Sequence, residues 1–182
     1  MAAPTRTPRS TWIDAGLRAL AAGGPDAVRI EPLAQSLGVT RGGFYWHFKD
    51  RGAFLQELLD VWERRSTDAV LEQVEAEAGD VRSRVRLAGL LTFSAELLPV
   101  DLAVRDWARR DERVAERLRR VDGRRLDYLR AQIGTLHSDA DEVEARSVLA
   151  FTLAIGRHFV ATEHGESERA EVLELALRHI LR

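Results

Sequence analysis

The chain has 182 residues, 45% of them hydrophobic and 31% charged, with a net charge of −2 and no cysteine. That length allows a small motif domain plus a larger core-forming one, and the lack of cysteine excludes disulfides, thiolate catalysis and cysteine-rich zinc sites. No apolar run reaches membrane-spanning length, and the opening residues, with Pro4, Arg6, Pro8 and Arg9, lack the apolar core of a signal peptide, so no membrane partner and a cytoplasmic location are expected.

Helical periodicity dominates and two-residue alternation is missing, which predicts an all-α fold. A first helix over residues 9–22 buries Ile13, Leu17 and Leu20 and stops at Gly23-Gly24-Pro25. A second begins near Ile30, with Pro32 tolerated in its first turn. A third covers 41–48, and a fourth follows the N-cap Asp50 and runs to Glu77, carrying Phe54, Leu55, Leu58, Leu59 and Trp62. Beyond Gly79-Asp80, a helix over 81–98 ends at Pro99, a short one holds Leu102, Val104 and Trp107, and a long one spans 113–136. Ser138-x-x-Asp141 resembles a capping box opening a helix over 139–163, and a last helix over 167–181 follows a break at His164-Gly165.

The stretch 33–48 reads as two short helices joined by a glycine turn. Leu33, Ala34 and Leu37 sit at helical spacing, Gly38 supplies a left-handed residue, and Thr40 is placed to cap the next helix. Phe44 and Phe48 form an inward i, i+4 pair. Tyr45, Trp46 and His47 span roughly 200° of helix and cannot share one buried face. With Arg41 they leave polar and aromatic groups facing outward, as a helix reading the DNA major groove would. Charge agrees: residues 1–51 carry seven basic and four acidic side chains, +3, and the remainder carries −5.

In Leu33-Ala34, Leu37-Gly38-Val39-Thr40, Gly42, Phe44-Tyr45, His47-Phe48 and Arg51, the chain resembles the TetR family of transcriptional regulators. The resemblance covers about the first third of the chain. It implies an N-terminal three-helix helix-turn-helix DNA-binding domain, residues 1–52. A C-terminal helical effector-binding and dimerisation domain, residues 53–182, follows, with about nine helices in all. The implied protein is a homodimer that binds a palindromic double-stranded DNA operator, a repressor released by a small-molecule effector. A helical small-molecule-binding or scaffold protein with a vestigial helix-turn-helix is the alternative.

Carried over residue by residue, the resemblance places Tyr45, His47 and Arg51 at phosphates, while Arg41 and Trp46 are the candidates for reading bases. Thr40, Gly42 and Gly43 complete the expected surface. Gly43 stands where a hydroxyl-bearing residue is usual, and so either loses a phosphate contact or allows closer approach to DNA. Arg29 stands where a capping Thr is common and is expected to reach a phosphate; Glu31 stands where a basic residue is common.

Polar and aromatic residues inside apolar helices are the candidate effector pocket: Phe93, Ser94, Trp107, Tyr128, Phe151, Thr152, His158 and Phe159. They imply a mostly apolar ligand with few polar handles. The last two helices carry more apolar surface than one face needs, which either packs inside one bundle or forms a dimer interface. The resemblance favours a dimer through Ala150, Ala154, Ala161, Leu173, Ala176, Leu177 and Ile180. No enzymatic constellation is present: His137, His158, His164 and His179 lack metal-ligand spacing, and no cofactor is expected. The Arg-rich run 117–130 is interleaved with Asp122 and Asp127 and reads as a salt-bridged surface.

Overall fold

The computed structural model describes residues 7–161 and 168–182, which form helices and no strand. In chain order these are α1 (Arg9–Ala27), α2 (Ile30–Ser36), α3 (Arg41–Tyr45), α4 (Arg51–Glu63), a π-helical turn (Arg64–Asp68), α5 (Ala69–Glu77), α6 (Val81–Thr92), α7 (Leu98–Ala108), α8 (Glu112–Ile133), α9 (Ala140–Gly156) and α10 (Arg169–Ile180). Because α4, the π-helical turn and α5 follow one another without a gap, the described residues amount to nine helical rods. None is long and apolar enough to cross a membrane. The expected break at His164-Gly165 lies outside the described residues.

The chain divides into two compact units: residues up to Arg65 with Leu97–Leu118, and Ser66–Glu96 with residues from Arg119 onward. In the first unit, α1 leaves helical geometry at Gly23 and Gly24. The turn between α2 and α3 is a Schellman motif: Gly38 has φ +67°, Val39 N–H donates to the Ala34 carbonyl at 3.0 Å, and Gly38 N–H donates to Gln35 at 3.1 Å. The core is aromatic. Phe44, fully buried, has its ring 5.5 Å from Trp12, 5.2 Å from Phe54 and 5.0 Å from Phe48. Gly16 admits this packing, since a Cβ there would stand 2.6 Å from Phe54 Cζ. Asp50 caps α4 by accepting from Ala53 N–H at 2.8 Å.

The second unit packs Val85, Leu129, Ile133, Ala150 and Leu181 together, with Val143, Phe151 and Leu177 against them. Arg130 grips Glu144 with two bonds, of 2.6 and 2.8 Å, tying α8 to α9. Arg125, 5% exposed, donates to the Ser66 hydroxyl at 2.9 Å and to its carbonyl at 3.3 Å, which serves the widened ladder of the π-helical turn. Arg124 pairs with Asp68 and Arg117 with Asp60, so the Arg-rich run is ion-paired as expected.

Several element boundaries differ from expectation. Helix α3 stops at Tyr45, and residues 46–47 are a turn whose N–H groups still converge on Phe44, with Phe48 N–H reaching its carbonyl at 3.0 Å. Helix α6 ends at Thr92 rather than at 98; Pro99 does not terminate it but sits in the first turn of α7, where a missing N–H costs nothing. Asp139 rather than Ser138 caps α9, accepting from Glu142 N–H at 2.9 Å. The helical run of α9 ends at Gly156, short of 163.

Candidate nucleic-acid interface and ligand cavity

Buried Phe44 sets the rotation of α3 and leaves Arg41, Tyr45 and Trp46 outward; Tyr45 is 50% and Trp46 73% exposed. Arg29, Thr40 and Gly42 are exposed beside them. A shallow cleft joins the two helices, lined by Arg29, Glu31, Gln35, Arg41 and Tyr45. Across it Arg41 Nη1 donates to Glu31 Oε1 at 2.8 Å, and that hydrogen bond raises the Arg41 pKa. Both residues stand out in the sequence, but their pairing does not. Helical periodicity relates residues within a helix and is silent across a turn; opposite charge was the available signal.

Several expected roles change. Thr40 occupies the N-cap position with extended backbone, yet its hydroxyl makes no capping bond; its carbonyl accepts from Gly43 N–H at 3.0 Å instead. A Cβ at Gly43 would stand 3.7 Å from Trp12 Cζ2 of α1, an ordinary contact, so the position has room for a side chain. Arg51 is half-buried: Nε donates to the Val28 carbonyl at 2.7 Å and Nη2 to the Pro25 carbonyl, fastening the connection between α1 and α2 to the start of α4. His47, also half-buried, donates from Nε2 to the Thr7 carbonyl at 2.9 Å and holds the incoming chain on the end of α3. Both build the frame behind the exposed face.

The second unit holds a cavity of about 460 Å³, half open to solvent. Of the expected pocket residues, Phe93, Tyr128, Phe151 and His158 line it. Trp107 does not, being buried on α7 in the first unit; Ser94 lies outside the lining, Thr152 is exposed, and Phe159 is 65% exposed. Tyr128 shows the cavity its ring, because its hydroxyl donates to Glu75 at 2.8 Å; burial and that bond keep the phenol protonated.

Ala150, Ala154, Leu173 and Leu177, expected at a dimer interface, line the cavity instead. The reason is close helix approach: a Cβ on Gly89 of α6 would come 3.1 Å from the Ala154 Cβ of α9, so the small residues face inward. Ile180 packs against the core cluster, Ala176 is half-buried and Ala161 exposed. Among the described residues from α9 onward, the large apolar side chains left outside are Val148, Leu149, Phe159, Val160 and Leu175.

Residues 13–58, from α1 into α4, match the profile of the tetR family of bacterial regulatory proteins. Over that stretch the chain is similar to that family. Over 78 residues the chain is 32% identical to the HTH-type transcriptional regulator AcrR of Shigella flexneri, an alignment covering 43% of the chain and 36% of AcrR; the match thus spans about a third of that relative's length. A TetR-family transcriptional regulator from Streptomyces coelicolor has the same fold, with TM-score 0.73 at 16% identity over 95% of this chain and 93% of that one. So does AibR, solved in complex with isovaleryl coenzyme A and operator DNA, with TM-score 0.68 at 12% identity over 93% and 96% of the two chains.

Proposed function

We propose that this protein is a TetR-like, sequence-specific DNA-binding transcriptional regulator, a homodimeric repressor that a small effector releases from a palindromic operator. The carrying observation is the outward face of α3. Arg41 and Tyr45 project from a helix that Phe44 locks in place, and Trp46 from the turn that follows, with Gly38 turning the helix away from α2. In this reading Arg41 and Trp46 read base edges, Tyr45 touches phosphate, and Arg29, Thr40 and Gly42 flank them. His47 and Arg51 hold that face in shape, while Gly43 leaves room for close approach to DNA.

The exposed apolar side chains of α9, α10 and the turn after α9 support a dimer, whose two-fold axis would match an operator palindrome. An effector fits the cavity of the second unit, whose volume falls in the range of ordinary ligand sites. That AibR is known with both a ligand and operator DNA supports pairing the two partners in one protein.

Selection of bound sequences from a pool of random duplex DNA at near-physiological salt tests the reading. The expected outcome is a palindrome with fixed half-site spacing, lost in Tyr45→Ala with Arg41→Ala. Unselective, salt-sensitive retention would instead mean phosphate contact without base reading, and would overturn it.

A further inference from the structure

Leu90, Phe93, Leu129, Phe151, Leu173 and Leu177 give the cavity an apolar wall, but its lining also includes Arg86, Arg125, Arg157 and Arg169. Among the described lining residues the acidic side chain facing them is Glu174, which Arg86 Nε already engages at 2.9 Å. Arg125 is held by Ser66 and, at 3.2 Å, by Asp122, and its guanidinium lies 5.7 Å from the centre of the Phe93 ring.

Arg157 is different. Its Nε donates to His158 Nε2 at 3.0 Å and its Nη2 to the Phe93 carbonyl at 3.4 Å, both neutral acceptors, and burial works against its charge. Arg169 adds a second cation beside it, with Nη1 donating to the Arg157 carbonyl at 3.0 Å. A half-buried guanidinium served by neutral acceptors is strengthened by an anion placed alongside, and a carboxylate matches its fork.

We propose that the cavity takes an amphipathic anion, a carboxylate with an aliphatic or aromatic body, whose apolar part lies against Phe93, Phe151 and Leu173 and whose carboxylate pairs with Arg157. This sharpens the expected apolar effector into an apolar acid. It rests on the effector reading in placing a ligand in this cavity, not in what the ligand does to DNA.

Titration calorimetry on the full chain tests it, with hexanoate, octanoate and decanoate compared with the matching alcohols and amines. An acid is expected to bind about tenfold more tightly than its alcohol, with the amine weakest. Arg157→Gln should bring the acid down to the level of the alcohol and leave the alcohol unchanged, while Arg157→Lys keeps a preference for the acid and covers the case in which the first variant fails to fold. Equal binding of acid and alcohol, preference for the amine, or no binding of any acid overturns the proposal. DNA retention is measured separately: acid binding that leaves DNA retention unchanged upholds the proposal and defeats the effector part of the proposed function.

Discussion

The two units solve opposite packing problems. In the first, Trp12, Phe44, Phe48 and Phe54 fill the interior with rings in mutual contact, and Gly16 gives up its side chain so that Phe54 can fit. In the second, small residues on α6 and α9 draw two helices together, yet a cavity of about 460 Å³ remains and a guanidinium is buried at its edge. A surface that must present side chains at fixed positions needs rigid backing, because packed interiors transmit small displacements. A unit that must take in a ligand cannot be filled in the same way.

If that contrast is right, Phe44→Ala is the most damaging change. It removes a ring at the centre of the cluster and should cost about 3–5 kcal/mol in urea unfolding, together with loss of DNA retention. Gly16→Ala adds just one methyl group but drives it into Phe54, and should cost about 1–3 kcal/mol; an unchanged unfolding midpoint would mean that the ring cluster has slack. Leu173→Ala, on the cavity wall, removes contacts that are already one-sided, so a cost near 1 kcal/mol, below the usual packed-core range, is expected. A loss as large as that of Phe44→Ala would erase the distinction between the units.

The smallest effect is one of pH. Burial first, then Arg157 and Arg169, hold the His158 pKa below its ordinary 6.5. The unfolded chain therefore takes up the proton before the folded one, so stability is untouched well above that value and declines as pH falls below it. Thermal unfolding compared at about pH 7 and about pH 5 should show a shallower decline in His158→Gln than in the parent. A saturating acid in the cavity should flatten the decline as well, since an anion favours protonated histidine.

Much of the first unit was legible because its signals are local. Gly38, Phe44 and Phe48 lie within a dozen residues, and helical spacing alone decides which of their neighbours can be buried. The frame behind them was less so: Arg51 reaches Pro25 and Val28, and His47 reaches Thr7, across separations that no periodicity encodes. In the second unit Phe93, Phe151 and His158 stood out as aromatic or polar breaks in apolar helices. The arginines of the cavity did not, because in sequence an arginine reads as surface. The alanines of α9 are ambiguous in sequence, since small residues suit either a close intrachain crossing or a dimer seam. The glycine opposite Ala154, Gly89, marks a close intrachain crossing, and only folding brings it near.

The link between Glu31 and Arg41 has a consequence for how such a protein would search a genome. On the proposed reading, the carboxylate of Glu31 is an internal rival for the guanidinium that meets DNA. A lone phosphate must displace it and then lie near a bare negative charge, whereas a guanine edge offers Arg41 two acceptors at once. The rivalry therefore weakens casual encounters more than correct ones, and acts as a filter that shortens the time spent on wrong sequence.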